Sequence, residues 1–200
     1  MKVYFAPNSR AVRTVWLLEE IGQKYELERF TLGQKEMRGP EYTKLNPNGR
    51  VPTLIDGDVT ISESTAIAQY LGALYAPDLV PGPDSPNFAM YLQWLHYAEG
   101  MIMPPINNYV VETILLPPER QNKEIAARAL KLLNRTLGAV EGHMEGREYI
   151  AGGFTVADTI TGHAVIMSRR LGADFGKCPN LSAYADRLEA RPAFKAAEAV

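Results

Sequence analysis

The chain has 200 residues, 46% hydrophobic and 22% charged, with a formal net charge of −2. This suits a globular protein of one large or two small domains, and the balance gives no electrostatic case for nucleic acid or an anionic membrane as partner. Three scattered histidines (His96, His143, His163) and one cysteine, Cys178, predict no metal site, internal disulfide or Cys-x-x-Cys redox pair. The opening Met1-Lys2-Val3-Tyr4-Phe5-Ala6-Pro7 does not read as a signal peptide, and no run approaches the ~20 apolar residues of a membrane span. A cytoplasmic enzyme or binding protein is expected.

In chain order, Lys2 to Phe5 reads as a short strand. Arg10 to Gly22 places Ala11, Val15, Leu18 and Ile21 on one stripe of a helix, with Gly22 as its stop. Leu27 to Leu32 reads as a second strand, and this β-α-β start predicts a parallel pair. Pro47 and Gly49 then mark a turn. Val51-Pro52 precedes the apolar run Thr53-Leu54-Ile55, the strand-opening place a proline tolerates. Asp56-Gly57 predicts a tight hairpin into Val59-Thr60-Ile61. Ser62-Glu63-Ser64 leads into a helix over 65–75. Free backbone groups, two hydroxyls and one carboxylate thus collect at a helix N-terminus beside a proline-bent loop. Helix N-termini attract anions through unpaired N–H groups and the macrodipole, so this stretch suits a small zwitterion bearing a carboxylate.

The proline-rich segment at 76–86 predicts a stiff linker, and everything beyond it reads as helical. A long helix is expected from Asn87 to about Leu116, broken or kinked at Pro104-Pro105. Others are expected from Glu119 to about Glu145, from Thr155 to about Leu171 behind the capping-box pattern Thr155-Val156-Ala157-Asp158, and from Asn180 to Ala190. Pro192 opens a last turn. The domain organisation is therefore 1–77, a linker at 78–86, and an all-helical domain over 87–200.

The order Val51-Pro52, hairpin, Glu63-Ser64, helix, together with Gly152 to Asp158 in the second half, resembles the cytosolic glutathione transferases, specifically their bacterial, serine-type, theta- or nu-like branches. That resemblance implies α/β plus all-α architecture, with an N-terminal thioredoxin-like domain and a C-terminal helical-bundle domain. It implies a cis Val51-Pro52 bond, Val51 backbone contacts to the cysteinyl part of glutathione, and Glu63 and Ser64 at the γ-glutamyl end. Arg50 would lie near the glycine carboxylate, with further contacts from Gln34 and Lys35. The co-substrate would be glutathione, with no metal.

Such chemistry needs a thiolate at neutral pH, whereas a free cysteine thiol titrates near ~8.5. A donor at the start of the first helix supplies the stabilisation. The resemblance points to Ser9, four residues before Arg13, with Asn8 as the other donor and helix capping as Ser9's local role. Tyr4, inside the first strand, reads as a packing residue. No cysteine at the site argues against the omega- and beta-like branches, and Asn8-Ser9-Arg10 departs from the motif of the zeta-type isomerases. Met101, Met103 and Tyr109 are candidate walls of an apolar pocket for the electrophile. The resemblance further implies a homodimer, with Glu99 facing the partner's site. The implied activity is conjugation of glutathione to small hydrophobic electrophiles, with possible peroxidase activity. The alternative is a non-catalytic relative that binds ligands or regulates.

Overall fold

β1 (Lys2–Phe5) buries Val3 and Phe5 on one face of the sheet and turns Lys2 and Tyr4 to the other. The structure, a computed structural model, describes residues Met1–Val200. The chain divides into two units, Met1–Val80 with Ala190–Val200, and Pro81–Glu189.

In the first unit, α1 (Ala11–Glu20) connects β1 to the parallel strand β2 (Glu26–Arg29), and β3 (Thr53–Asp56) and β4 (Val59–Ser62) complete a sheet of order β2-β1-β3-β4. The β1–β3 and β3–β4 pairs are antiparallel. Register explains the layering. Val3 pairs with Leu54 and Tyr4 with Thr53, so successive residues go to opposite faces. The short helix α2 (Pro40–Thr43) and the twelve-residue α3 (Ser64–Tyr75) frame the loop between them and the hairpin. The hairpin turns at Gly57, whose φ of +58° suits glycine, with Asp56 opposite Val59 as the closing pair. β2 ends at Arg29 rather than at Leu32, because its only partner, β1, stops at Phe5.

α1 is buried along nearly its whole length, from Ala11 to Leu18. One reason is α9 (Pro192–Ala199), a helix rather than a single turn, which packs on α1. Phe194 meets Trp16 edge-on at 4.8 Å, and Arg191 grips the Glu20 carboxylate through Nε (2.5 Å) and Nη2 (2.8 Å). The Trp16 indole N–H donates to the same carboxylate at 2.8 Å. The final segment therefore belongs to the sheet-bearing unit and not, as its sequence position suggests, to the helical one.

The second unit contains α4 (Phe88–Tyr97), α5 (Met103–Val110), α6 (Lys123–His143), α7 (His163–Arg170) and α8 (Pro179–Glu189). The prolines at 104 and 105 do not break the chain. A π-helical stretch, Ala98–Ile102, hands over to α5 so that both prolines fall in its first turn, where a missing N–H costs least. α6 starts at Lys123, later than expected, because the Asn122 side chain accepts the N–H groups of Glu124 and Ile125 at 3.0 and 3.1 Å. Ahead of α7, the fully buried Asp158 carboxylate accepts from the Thr155 N–H and hydroxyl, the Ile150 N–H and the Tyr184 hydroxyl at 2.8–3.0 Å. Burial pushes its carboxyl above the ordinary value while those donors hold it down. Every lone-pair direction is used for folding. No helix in the structure is long and apolar enough to cross a membrane.

Candidate functional site

A cavity of ≈ 350 Å³ in the first unit is lined by Arg10, Asn46, Asn48, Arg50, Val51, Pro52, Glu63 and Ser64. Its size suits a small-molecule ligand. Its walls come from the start of α1, the loop before β3 and the N-terminus of α3. Two guanidinium groups, one carboxylate and two carboxamides give it the complement of a zwitterion with more than one carboxylate.

The loop wall is fixed from behind. Asn46, almost fully buried, donates from its amide to the Arg50 carbonyl (2.7 Å) and to Thr53 Oγ1 (3.2 Å), and accepts the Asn48 N–H (3.1 Å). The Tyr42 hydroxyl lies 2.6 Å from the Arg50 carbonyl and 2.8 Å from Thr53 Oγ1. Burial pushes the Tyr42 phenol up, so it remains a donor at neutral pH. Gly49, at φ +59°, permits the tight turn, and a Cβ there would meet the Met37 carbonyl at 2.6 Å. Val51-Pro52 is cis.

The helix wall carries an unusual backbone. Glu63 sits at φ +73°, ψ +112°, outside the regions an L-residue prefers. Such conformations cost about 1–3 kcal/mol and persist where the surroundings impose them. Glu63 is exposed, while Ser64 beside it is buried. Behind them the fully buried Arg13 of α1 donates from Nη1 to Ser64 Oγ at 3.3 Å. A cation thus lies beneath a helix N-terminus, and both favour an anion there.

The β1–α1 turn holds Asn8 and Ser9, neither of which lines the cavity, although the next residue, Arg10, does. The Ser9 hydroxyl donates to the Ala6 carbonyl at 2.6 Å and accepts the Ala11 N–H at 3.1 Å. Its single proton is committed within the turn, and its oxygen takes the first N–H of α1, whose N-cap position is Arg10. Asn8 is exposed, has φ +56°, and makes no side-chain hydrogen bond.

Gln34 and Lys35 stand apart from the cavity lining. The Gln34 side-chain carbonyl accepts the Thr31 N–H at 2.7 Å, and Lys35 is exposed at the head of a 3-10 turn, Lys35–Arg38. In the second unit Met103 is buried in the helical core, Met101 is 47% exposed, and Tyr109 and Glu99 are half-buried. The sequence reading omits Arg10, Asn46 and Asn48. Arg10 adjoins Asn8-Ser9, and both asparagines fall in the turn before Val51-Pro52. What marks Asn46 is burial, which turn composition does not reveal.

The chain is similar to known proteins in sequence and in fold. The family described as "Glutathione S-transferase, N-terminal domain" matches residues 1–73, and "Glutathione S-transferase, C-terminal domain" matches residues 102–192. The chain is 31% identical to glutathione S-transferase 4 of Zea mays, over 96% of this chain and 89% of that one. It is 32% identical to elongation factor 1-gamma of Prunus avium, over 94% of this chain but 45% of that one. Among solved structures, the theta class glutathione S-transferase of Xanthomonas axonopodis pv. citri with glutathione bound superposes with a TM-score of 0.89 at 27% identity, covering 100% of this chain and 97% of that one. The thioredoxin-like sheet, the helical unit and both family matches converge, and the chain belongs to the glutathione S-transferase family.

Proposed function

We propose that this protein is a glutathione transferase that binds glutathione in the 350 Å³ cavity and presents its thiolate to a small hydrophobic electrophile. The observation that carries this is the convergence of Arg50, Val51, Glu63 and Ser64 on one cavity at the N-terminus of α3, in a chain of this family. Glutathione bears one ammonium and two carboxylates, and the cavity offers an acidic side chain near a helix N-terminus at one wall and Arg50 at another. In this reading Ser64 and the α3 N-terminus receive the γ-glutamyl carboxylate, Glu63 its ammonium, the Val51 backbone the cysteinyl part, and Arg50 the glycine carboxylate.

Thiolate stabilisation falls to the β1–α1 turn. The serine-type reading assigns it to Ser9, but that hydroxyl is spent on the Ala6 carbonyl and the Ala11 N–H. The open amide of Asn8 favours Asn8 as donor to sulfur, with Ser9 holding the turn. A hydrogen bond to a charged acceptor contributes about 1.5–3 kcal/mol, equivalent to roughly one to two pKa units of the thiol. The sulfur lone pair then attacks the electrophilic carbon, forming a thioether as the carbon–halogen bond of an aryl halide breaks and halide leaves, or as the π pair of an enone moves onto its oxygen, which is then protonated. No covalent enzyme intermediate is required; binding, orientation and charge stabilisation suffice.

Half-exposed Met101 and Tyr109 remain proposed electrophile contacts, while the burial of Met103 favours a packing role. The exposed Leu74 and Tyr75 at the end of α3 support a self-associating face, consistent with a homodimer. A cytoplasmic location suits the lone cysteine. The test is calorimetric titration with glutathione followed by thioether formation with a generic aryl halide. Saturable binding and turnover above the uncatalysed rate are expected. Binding without turnover on a panel of aryl halides, enones and peroxides would overturn the enzymatic reading in favour of a ligand-binding relative.

A further inference from the structure

A second cavity, ≈ 480 Å³, opens in the first unit between β1–β2 and the segment around α2. Its floor is aromatic. Tyr4, Phe30 and Tyr42 meet one another with ring centroids 4.9–6.0 Å apart. Its rim is acidic, with Glu28 from β2, Glu36 from the 3-10 turn and Glu41 from α2. Apart from the Tyr42 hydroxyl, which braces the Arg50 carbonyl, nothing in the glutathione reading uses these groups.

The chain itself shows what this surface attracts. Parallel pairing sets Glu28 beside Tyr4, and Lys2 emerges two residues earlier on the same face. The Lys2 ammonium stands 5.2 Å from the Tyr4 ring centroid and 2.9 Å from the Glu28 carboxylate. A tethered ammonium thus already rests at the edge of the cavity on one ring and one carboxylate. Of the remaining rim charges, Lys44 pairs with Glu41 at 3.1 Å, and Glu36 has no ion-pair partner. Three carboxylates against two ammonium groups leave one negative charge, on the exposed Glu36 at the rim of the aromatic floor.

The floor offers aromatic surface from half-buried Tyr4 and Phe30 more than free acceptors, since the buried Tyr42 hydroxyl is already bound to the Arg50 carbonyl and Thr53. Ring faces attract cations through the quadrupole, most effectively cations that carry few N–H groups needing acceptors. We infer that this cavity is a binding site for an alkylated ammonium ion, held against the half-buried Tyr4 and Phe30 rings with Glu36 as counter-charge.

The test uses the full chain and two probes of one shape: choline, and its neutral isostere 3,3-dimethylbutan-1-ol, each titrated by NMR. Saturable choline shifts should centre on Tyr4, Phe30 and Glu36, with the isostere about tenfold weaker. Phe30→Leu and Glu36→Gln should each weaken choline several-fold, and Lys2→Met should strengthen it by freeing Tyr4 and Glu28. Glutathione affinity, unchanged in these variants, serves as the folding control; Glu36 is exposed, so Glu36→Gln reports even where Phe30→Leu fails to fold. Equal binding of the two probes, shifts elsewhere on the surface, no shift at all, or weaker choline binding in Lys2→Met would overturn the assignment.

Discussion

Arg13 of α1 and Ser64 of α3, 51 residues apart in sequence, are joined by a buried hydrogen bond of 3.3 Å from guanidinium to hydroxyl. This bond ties the helix that follows the proposed thiol-stabilising turn to the helix whose N-terminus receives the proposed carboxylate. Ser64→Ala removes the acceptor and a ligand contact together. It should raise the dissociation constant for glutathione by about tenfold and cost about 1 kcal/mol of stability. Arg13→Met should lower both glutathione affinity and stability, and a double-mutant cycle on unfolding free energy should give a coupling between the two sites. Strict additivity would show that the bond contributes nothing.

The Glu63 backbone predicts a trade between stability and binding. Glycine relieves a left-handed φ of +73° at the cost of a more flexible unfolded chain. Glu63→Gly should therefore be no less stable than the parent in denaturant unfolding, while glutathione affinity falls at least tenfold through loss of the carboxylate. A large stability loss would mean that the side chain, not the surroundings, holds this conformation.

The C-terminal helix predicts a long-range dependence. Arg191, Glu20 and Trp16 share one nearly buried cluster, capped by Phe194. Arg191→Ala strands the Glu20 carboxylate and should cost about 2 kcal/mol. Removal of residues 190–200 should abolish amide-exchange protection in α1 before it affects α6 or α8, as hydrogen-exchange mass spectrometry can read residue range by residue range.

Much of this arrangement was legible from residue order. Asp56-Gly57 marked the hairpin because a two-residue turn demands a residue that accepts positive φ. Thr155 and Asp158 announced their cap because the spacing of a capping box is local. The attachment of α9 was not legible: its apolar face matches any apolar surface, and only Glu20, 171 residues away, identifies the partner. Nor could order separate Asn8 from Ser9. Both are short polar residues in one turn, and the difference lies in a backbone twist that engages one side chain and leaves the other open. The prolines at 104 and 105 predicted an interruption, but not that a π-helical stretch would absorb it.

His143 predicts a pH effect within the helical unit. Its Nε2 lies 2.7 Å from the Ile150 carbonyl and its ring rests against Trp94 at 4.3 Å. Burial holds its pKa below the ordinary 6.5, partly countered by the carbonyl. The unfolded chain therefore binds the proton more readily than the folded one, so this contribution to stability is present above about pH 6.5 and is lost as pH falls toward the folded value. Chemical denaturation between pH 7.5 and 5.5 should show stability declining with acid, less steeply in His143→Gln. Identical slopes would exclude His143 as the source.

In the proposed mechanism the turn after β1 stabilises a glutathione thiolate through Asn8. Its most direct test is the ultraviolet thiolate absorbance of bound glutathione against pH, in the parent protein, Asn8→Ala and Ser9→Ala. The bound thiol pKa should lie one to two units below that of free glutathione and return most of the way in Asn8→Ala. In Ser9→Ala the shift should largely persist alongside a loss of stability from the broken Ala6 and Ala11 hydrogen bonds of the turn. A shift that vanishes in Ser9→Ala and survives in Asn8→Ala would contradict the assignment and return the role to the serine. Bound glutathione with an unshifted thiol in the parent protein would contradict the transferase mechanism itself.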